Sequence, residues 1–351
     1  MRITFVLPTP IRIPMGGAKV VYGHAERLAA RGHTVSVVAP RRGARGVRAW
    51  ARQAAVAARD TVHGVAGGQA YHATGVETLE IATPASRHFP EADVTVATGV
   101  QTAPWVAALP RAKGRGVYFV QGDETFVRPD ARETWGLGLP VVTCARWLAE
   151  EVEASGADVR AVVPNALDEG AWGVDRPLAE RPARVVALYH RHPVKGPDVL
   201  LEALAHLRRQ RPGLAADVFC ARPPSHRLPP WVGVHVRPLH AELRALYNGA
   251  AVLLHPSRSE GSPLVPLEAA ACGCAVAASA NQGVQEVLEA GVSMATAPVG
   301  DGSALGEAAD RVLGDPALRQ RLVGSAREEV CALDWETSTD VLEATLAEVA
   351  R

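Results

Sequence analysis

Residues 251–273, with the sequence AVLLHPSRSEGSPLVPLEAAACG, contain one complete unit of the pattern that predicts the fold. The unit opens with an apolar run that ends at Pro256 and is typical of a buried strand, and residues 264–272 have the composition of a helix. The polar loop between them carries Glu260. In an open α/β sheet such a loop lies at the carboxyl end of its strand, where these folds bind ligands.

The same alternation of strand and helix extends along most of the chain. In the first half, strands are predicted at residues 3–7, 34–39, 93–98, 116–120, 141–144 and 161–163, and helices at 17–31 and 146–155. In the second half, strands are predicted at 184–189, 216–221, 232–236, 251–256 and 275–278, and helices at 198–210, 242–247, 264–272, 284–290, 304–313, 317–332 and 335–349. Residues 43–77 receive no assignment. Valine-rich strands separated by helices indicate mostly parallel sheets with helices on both faces.

Between Asp168 and Ala183 this periodicity gives way to glycine, proline and charged residues, a composition typical of a linker between domains. A length of 351 residues also favours two domains. We therefore predict two doubly wound, Rossmann-like domains that face a cleft and carry a C-terminal helical tail. The predicted boundaries are an N-terminal domain at 1–170, a linker at 171–183, a C-terminal domain at 184–333 and a tail at 334–351 that packs back toward the N-terminal domain.

Composition excludes several classes of protein. Lysine plus arginine and aspartate plus glutamate both total 37, so the formal net charge is zero, which argues against a partner such as nucleic acid. The five cysteines are scattered and form no C-x-x-C motif, which excludes a disulfide framework and a zinc ribbon. The start of the sequence does not resemble a signal peptide, and no apolar stretch is long enough for a membrane span. We expect a cytoplasmic protein with reduced thiols.

Motifs that are absent from the sequence narrow the choice further. The first predicted strand is not followed by G-x-G-x-x-G, which weakens the prediction of a dinucleotide-dependent dehydrogenase, and there is no phosphate-binding P-loop motif. Neither G-x-S-x-G nor H-E-x-x-H occurs. No Asp-x-Asp pair occurs either, and hard divalent cations need such clustered oxygen ligands. We therefore predict no metal site and no cofactor.

Two loops have the composition of phosphate-binding segments. Gly16-Gly17 precede a predicted helix, where free N–H groups favour an anion, although a plain tight turn would have the same sequence. The second loop follows the first strand of the second half and contains His190, Arg191, His192 and Lys195, although such residues also occur in solvated polar loops. The chain has 34 arginines but only three lysines, at positions 19, 113 and 195, and two of those three lie at these segments.

Glu260 and Glu268 are eight positions apart, a spacing that proves nothing alone, since Glu328 and Glu336 share it. Their context is more informative than their spacing. A carboxylate on a loop after a strand can contact a bound polyol, and one inside the following helix can accept two hydrogen bonds from a ribose diol. Backbone N–H groups at the start of this helix could face phosphate or hydroxyl oxygens.

These segments belong to a series of motifs that matches a known family in order and spacing. The motifs are Gly16-Gly17, Arg31-Gly32-His33-Thr34-Val35, Val163-Pro164-Asn165-Ala166-Leu167-Asp168, Lys195-Gly196 with Leu200, Leu201 and Ala203, Pro256-Ser257 with Glu260 through Val276, and Gly283 to Val287. By these motifs the sequence resembles the retaining, two-domain glycosyltransferases with the GT-B fold, of the family-4 type. The resemblance covers nearly the whole chain.

The resemblance implies a nucleotide-diphosphate sugar held mainly by the C-terminal domain and an acceptor on the N-terminal domain. Lys195 would contact the diphosphate, Glu268 the ribose hydroxyls, and Glu260 the transferred sugar. On this interpretation the candidate catalytic residues are Glu260, Lys195, Arg191 and Gln121. The candidate donor-binding residues are Gly16, Gly17, His190, Gly196, Arg237, Gly261, Ser262, Leu264 and Glu268.

The sequence departs from the family pattern at three places. The arginine usual five residues before the motif lysine is His190 here, with Arg191 next to it, so either could supply the second cation. The usual histidine after the fifth strand corresponds to Gln121, which can form hydrogen bonds but does not titrate. The usual E-G-F-G turn reads Glu260-Gly261-Ser262-Pro263, and Pro263 has no N–H to donate. These departures predict altered sugar recognition rather than loss of activity.

The predicted activity is metal-independent, retaining transfer of a hexose-type sugar to an acceptor hydroxyl. The acceptor could be a small molecule, a glycan or a glycolipid, and peripheral membrane contact and the oligomeric state are left open. Asp123 and Glu124 could bind an acceptor hydroxyl or form a solvated turn, and Trp105, Trp135 and Trp147 could line an acceptor groove or be buried. The alternatives are a GT-B sugar-nucleotide 2-epimerase, a non-catalytic scaffold or regulatory subunit with this fold, and an oxidoreductase.

Overall fold

The structure, a computed structural model, describes residues 1–41, 75–168, 170–224 and 227–351. Two parallel sheets form its framework, and each is covered by helices. The first sheet consists of β1 (Arg2–Val6), β2 (Thr34–Pro40), β3 (Glu77–Ile81), β4 (Val94–Ala97), β5 (Arg115–Val120), β6 (Val141–Thr143) and β7 (Val159–Val162). The second consists of β8 (Arg184–Leu188), β9 (Ala215–Cys220), β10 (Val232–Val236), β11 (Val252–His255), β12 (Ala275–Ser279) and β13 (Met294–Ala297).

The helices lie between and after these strands. They are α1 (Gly16–Ala30), α2 (Ala103–Ala107), α3 (Arg146–Ala154), α4 (Pro197–Gln210), α5 (His240–Gly249), α6 (Leu264–Ala271), α7 (Gln282–Gln285), α8 (Gly302–Gly314), α9 (Pro316–Cys331) and α10 (Trp335–Ala350). The predicted α/β class with two doubly wound units is confirmed.

The strand order of both sheets determines where ligands can bind. The first sheet runs β3-β2-β1-β4-β5-β6-β7 and the second β10-β9-β8-β11-β12-β13, and every strand pair is parallel. The order therefore reverses between β1 and β4 in one sheet and between β8 and β11 in the other. In open α/β sheets, the crevice at the carboxyl ends of the strands beside such a switch point is where ligands bind.

Apolar strand residues account for the cores. The side chains of β4 and β12 are buried along their whole length, and β1 is buried after its first residue. The inner strands are therefore buried on both faces, as continuous apolar runs predict, whereas the edge strands β3 and β10 are partly exposed.

Several predicted elements differ from the observed ones. The helix predicted at 284–290 instead runs over Gln282–Gln285, because the Asn281 side chain accepts a hydrogen bond from Val284 N–H and thereby starts it earlier. The prediction also omitted α2 and β13, whose short sequences APWVA and MATA lack a recognisable period. It omitted β3 as well. Most of the unassigned segment 43–77 lies outside the described residues.

The last helix, α10, packs on α1 and on strands of the first sheet. The Trp335 indole lies directly against Gly23, where an added Cβ would collide with its ring. His24 forms an edge contact with Trp335 and a hydrogen bond with the Thr339 hydroxyl. Arg31 forms ion pairs with three carboxylates of this helix. The core of the first sheet is therefore completed by residues that follow the second sheet in the sequence.

Residues 171–183, predicted as a linker, lie against the second half of the chain. The buried Arg181 guanidinium donates hydrogen bonds to the carbonyl oxygens of Tyr247 and Cys272. Trp172 is buried against Tyr247. Among the described residues, none of the helices combines the length and the apolar composition that crossing a membrane requires.

Candidate functional site

The loops that follow β8 and β11 meet at the switch point of the second sheet. Each carries one charged side chain into the same space, Lys195 from the first loop and Glu260 from the second. The Lys195 Nζ atom lies 2.7 Å from Glu260 Oε1 and 2.6 Å from Oε2. The carboxylate is largely buried and the ammonium partly so. Burial by itself raises the pKa of Glu260, but the charge of Lys195, together with smaller contributions from His255 and from hydrogen bonds of Lys195 and Ser257, holds that pKa below its usual range.

His255, the last residue of β11, lies behind this ion pair. Its ring is 2% exposed, and its Nε2 atom is 3.7 Å from Glu260 Oε1, too far for a hydrogen bond. The Nε2 atom has no hydrogen-bond partner among the described residues. Burial lowers the pKa of His255 to about 4, so the imidazole is neutral at pH 7.

Gly196 allows these two loops to approach closely. Its φ of 62° is in the left-handed region, and a Cβ at this position would collide with the Pro256 carbonyl oxygen. Gly196 is also the residue at which α4 begins, so the helix starts directly beside the Lys195–Glu260 pair. Only glycine meets both requirements.

Glu268 lies one turn into α6, with its side chain 7% exposed. Its Oε2 accepts a hydrogen bond of 3.2 Å from the Tyr247 hydroxyl, and its Oε1 lies 2.8 Å from the Nζ of Lys19. Lys19 belongs to α1, in the first half of the chain. The ion pair therefore crosses the cleft between the two halves.

Gly16 and Gly17, predicted as a turn before the helix, are the first two residues of α1, and they also face the second half. A Cβ at Gly16 would lie 3.7 Å from Leu264 Cδ1, and one at Gly17 would lie 3.2 Å from the side-chain oxygen of Gln121. The Gln121 side-chain amide donates a long hydrogen bond, 3.4 Å, to the Thr98 carbonyl oxygen in the loop after β4. These contacts place Gly16, Gly17, Gln121 and Leu264 in one region at the switch point of the first sheet.

Residues of the first half hold the turn that follows Glu260. The Trp147 indole N–H donates to the Gly261 carbonyl oxygen at 2.8 Å, and the Asn165 side-chain amide donates to the Ser262 carbonyl oxygen at 2.7 Å. A side chain at Gly261 would collide with the Gln121 carbonyl oxygen. The backbone of Gly261 and Ser262 is thus positioned from across the cleft.

A carboxylate of the second half caps a helix of the first half. Glu286 accepts hydrogen bonds from the backbone N–H groups of Arg146 and Trp147, the latter at 2.9 Å. These two residues form the start of α3, where a negative charge stabilises the helix dipole. Glu286 therefore bridges the two halves beside the Gly261 turn.

Three helix starts at the cleft lack the side-chain caps that the last four helices of the chain have. In α7, α8, α9 and α10, a side chain of Asn281, Asp301, Asp315 or Asp334 accepts a hydrogen bond from the first turn. By contrast α1, α4 and α6 begin after Met15, Gly196 and Pro263 with no side-chain cap. Uncapped N–H groups at the start of a helix attract anions, so three such helices converge on a region suited to a phosphate group.

Three candidate residues of the second half differ in whether they face the Lys195–Glu260 pair. His190 lies near Lys195, and burial, followed by the charge of Lys195, lowers its pKa. The exposed Arg191 is directed elsewhere, because its Nε and Nη2 atoms donate to the Pro223 carbonyl oxygen. Arg237 has a φ of 53° and donates from Nε to the Ala221 carbonyl oxygen, beyond the end of β9.

The acceptor candidates surround the loops after β4 and β5. Glu124 accepts a hydrogen bond of 2.5 Å from Val100 N–H, and burial raises its pKa to about 7. Asp123 forms an ion pair with Arg132. Trp135 is buried and Trp105 packs against the core, so neither lines an open groove, whereas Trp147 reaches the Gly261 turn.

Sequence reasoning did not assign Lys19, His255, Tyr247 or Glu286 to the site. A signal existed for Lys19, because lysine is rare in this chain and Lys19 follows the glycine pair. His255 directly precedes the Pro-Ser motif, which also could have drawn attention to it. Glu286 lies within the Gly283 to Val287 motif, which also could have drawn attention to it, whereas Tyr247, the partner of Glu268 within the second half, has no such signal.

Comparison with known proteins agrees with this geometry. Residues 184–315 match the family model described as glycosyl transferases group 1. The chain is 34% identical over 221 residues to the D-inositol 3-phosphate glycosyltransferase of Salinispora arenicola, covering 55% of this chain and 48% of that protein. It is 29% identical over 218 residues to the glycogen synthase of Mycobacterium tuberculosis, covering 56% of this chain and 51% of that one. The chain thus spans about half the length of the curated relatives that it matches.

Solved structures resemble the whole fold. Anabaena HepE in complex with UDP-glucose superimposes with a TM-score of 0.76 at 17% identity, over 99% of this chain and 100% of that one. The sucrose-phosphate synthase of Thermosynechococcus elongatus does so with a TM-score of 0.73 at 17% identity, over 99% and 98% of the two chains. The fold is therefore GT-B, and the predicted resemblance to GT-B glycosyltransferases of the family-4 type is confirmed.

Proposed function

We propose that this protein is a retaining glycosyltransferase that moves a hexose-type sugar from a nucleoside-diphosphate donor to an acceptor hydroxyl without a divalent metal. Residues 184–333 bind the donor, residues 1–170 bind the acceptor, and residues 171–183 link them. The family match at 184–315 supports this assignment, as does the UDP-glucose bound by the similar HepE structure.

One observation supports the proposal most directly, the Lys195–Glu260 pair at the switch point of the second sheet. The uncapped start of α4 directly follows Lys195, the uncapped start of α6 lies four residues after Glu260, and Gly16 at the start of α1 faces Leu264 of α6. A diphosphate needs a cation and N–H donors, and a sugar needs a carboxylate that accepts hydrogen bonds from its hydroxyls. Lys195 and Glu260 supply the cation and the carboxylate.

The chemistry follows from where charge develops. As the bond from sugar to phosphate breaks, the sugar acquires oxocarbenium character and the leaving diphosphate gains negative charge. Lys195 and the helix N–H groups stabilise that charge most strongly in the transition state, because they are fixed in a largely buried site. Glu260 orients the sugar, and Glu268 holds the ribose. The leaving phosphate takes the acceptor proton, so this scheme requires no separate strong base.

The experiment that tests the proposal is a panel of UDP-, GDP-, dTDP- and ADP-sugars, read by thermal shift and by release of nucleoside diphosphate. A true donor at about 100 times its Kd stabilises the fold by about 2.7 kcal/mol. The same reaction in EDTA tests metal independence, and the anomeric configuration of the product by NMR tests retention. An epimerised donor formed without acceptor would contradict transfer and indicate a 2-epimerase. Binding of no donor, or of NAD(P) instead, would also contradict it.

Lys195→Met removes the fixed cation that stabilises the leaving diphosphate. We expect kcat to fall by about 100-fold or more, because loss of a single group that stabilises developing charge commonly has this effect. The matched control is Lys113→Met, at the end of a short turn that precedes β5, and it leaves kcat unchanged. Turnover under saturating donor is the measurement. Equal rates for the two variants would remove Lys195 from the mechanism.

A further inference from the structure

The first turns of α1 and α6 lie side by side across the cleft. Gly16 at the start of α1 faces Leu264 at the start of α6. Lys19 lies three residues after Gly16, and Glu268 lies four residues after Leu264. Positions three and four apart occupy the same face of a helix, which is why Lys19 and Glu268 meet at 2.8 Å. Lys19 therefore projects along the same strip of the cleft as the Gly16-Gly17 pair.

The Lys19 ammonium is paired with a carboxylate that has another role in the proposed function. Its Nζ atom contacts Glu268 Oε1 and lies 5.2 Å from the centre of the Trp172 ring. The Tyr247 hydroxyl occupies the other Glu268 oxygen. Each carboxylate oxygen can accept two hydrogen bonds, so a ribose diol that binds both oxygens of Glu268 competes with the ammonium at Oε1 without being blocked by it. The Lys19 side chain is 30% exposed and carries its ammonium on a flexible four-carbon stem.

The donor needs more positive charge than Lys195 provides. A nucleoside diphosphate carries at least two negative charges next to the sugar. Of the other candidates in the second half, Arg191 is directed toward the Pro223 carbonyl oxygen and His190 has a lowered pKa. Arg258 is held by both carboxylate oxygens of Asp198. Lys19 is the lysine of the first half that adjoins the glycine pair expected to approach the diphosphate.

We infer that Lys19 is the second cation for the donor diphosphate, and that donor binding exchanges its partner. The ribose hydroxyls replace the ammonium on Glu268, and the ammonium turns toward a diphosphate oxygen. In the same way, the sugar hydroxyls replace the Lys195 ammonium on Glu260, and that ammonium turns toward the diphosphate. The inference rests on the proposed function and adds to it a cation from the opposite half of the chain. It also explains how the cleft binds a diphosphate although the usual arginine position holds His190.

The exchange predicts that one substitution, Lys19→Met, affects the affinities for two ligands differently. In Lys19→Met, UDP loses a cation and binds about 10-fold more weakly, which is one charge-assisted hydrogen bond of about 1.4 kcal/mol. Uridine has no phosphate and no longer competes with the ammonium for Glu268, so it binds as tightly as to the wild type or more tightly. Isothermal titration of UDP, UMP and uridine measures both effects. If GDP, ADP or dTDP binds the wild type better than UDP, the series of that base is used instead.

Two controls separate this exchange from a structural role. Lys19→Arg keeps the charge and restores UDP affinity to within a few fold of the wild type. Lys113→Met leaves the affinities for UDP and for uridine unchanged. Unchanged UDP affinity in Lys19→Met overturns the inference, and so does an equal loss of UDP and uridine, which indicates a misshapen cleft. A wild-type protein that binds none of the nucleoside diphosphates overturns the proposed function itself. These failures are therefore distinguishable.

Discussion

Single glycines determine how closely neighbouring loops approach at the cleft. Gly196 brings the start of α4 against Pro256, and Gly261 brings its turn against Gln121. Neither position tolerates a Cβ without movement of backbone, because the obstructing atoms are carbonyl oxygens. At this scale, the absence of a side chain is what places Lys195 and Glu260 in contact.

Three alanine substitutions separate the causes of this requirement. Gly196→Ala combines a left-handed φ with a collision, so we expect it to lower the free energy of unfolding by about 2 kcal/mol or more. Gly32→Ala has only the unfavourable φ of 89° and costs about 1 kcal/mol. Gly324→Ala, within α9 and with nothing nearby, stabilises by about 0.5 to 1 kcal/mol. Urea denaturation gives all three values, and a different order would contradict this explanation.

The sequence predicted contacts within the second half of the chain better than contacts between the two halves. Glu260 and Lys195 follow strands of one sheet, and the carboxyl ends of neighbouring parallel strands lie at the same edge, so their proximity follows from the strand pattern. The contact between Lys19 and Glu268 depends on how two separate sheets are oriented, which no local pattern specifies. The direction of Arg191 was equally unpredictable, since a neighbouring carbonyl oxygen determines it.

At the scale of elements, α10 packs against the first sheet and completes its core. His24 lies between this helix and the core, in contact with Trp335 and Phe119, and its Nε2 atom has no hydrogen-bond partner among the described residues. Burial, followed by the charges of Arg27 and Arg31, lowers the pKa of His24 to about 3. The neutral imidazole is therefore part of the packed interface.

This burial predicts the sign of a pH effect. The unfolded chain protonates His24 near its usual pKa of 6.5, whereas the folded chain resists protonation down to about 3. Stability from this group is present above pH 6.5 and is lost as the pH falls, by about 2 to 3 kcal/mol between pH 7 and pH 4.5. His24→Phe removes the titration, so its stability falls less over that interval. Urea denaturation of both proteins at the two pH values measures the difference, and parallel losses would exclude this role.

Elements with a strong period could be predicted from sequence, and weak ones could not. The apolar runs of β1, β11 and β12 are long enough to indicate buried strands. By contrast β13 and α2 are short and rich in small residues, and they form because neighbouring elements cover them. The bounds of α7 also differ from the predicted ones, because the Asn281 cap that starts it is not part of an apolar period.

At the scale of the whole molecule, direct bonds hold the two halves together. They include the Lys19–Glu268 ion pair, the Trp147 and Asn165 hydrogen bonds to the Gly261–Ser262 backbone, and Glu286 at the start of α3. Together they surround the candidate site on the side of the first half. The two halves are thus in direct contact around the cleft.

Weakening one of these bonds should open the cleft. Glu286→Gln removes the negative charge from the start of α3, and we expect a larger radius of gyration in solution scattering and a raised KM for donor. Glu289→Gln, three residues further on, is the matched control, and its radius should equal that of the wild type. Saturating nucleotide should bring Glu286→Gln back to the wild-type radius. An unchanged radius for Glu286→Gln without nucleotide would show that the remaining bonds suffice.

The docking of α10 on the first sheet has a consequence for synthesis on the ribosome. Strand β7 ends at Val162, yet the helix that completes the core of its sheet begins at Trp335. At about 5 to 20 residues per second, the two emerge roughly 10 to 30 seconds apart. Throughout that interval the surfaces of α1, β4, β5 and β7 that α10 contacts lack this cover, while the second sheet acquires all of its strands. The half of the chain made first is therefore the last to finish folding, and nascent chains are open to chaperones on those surfaces.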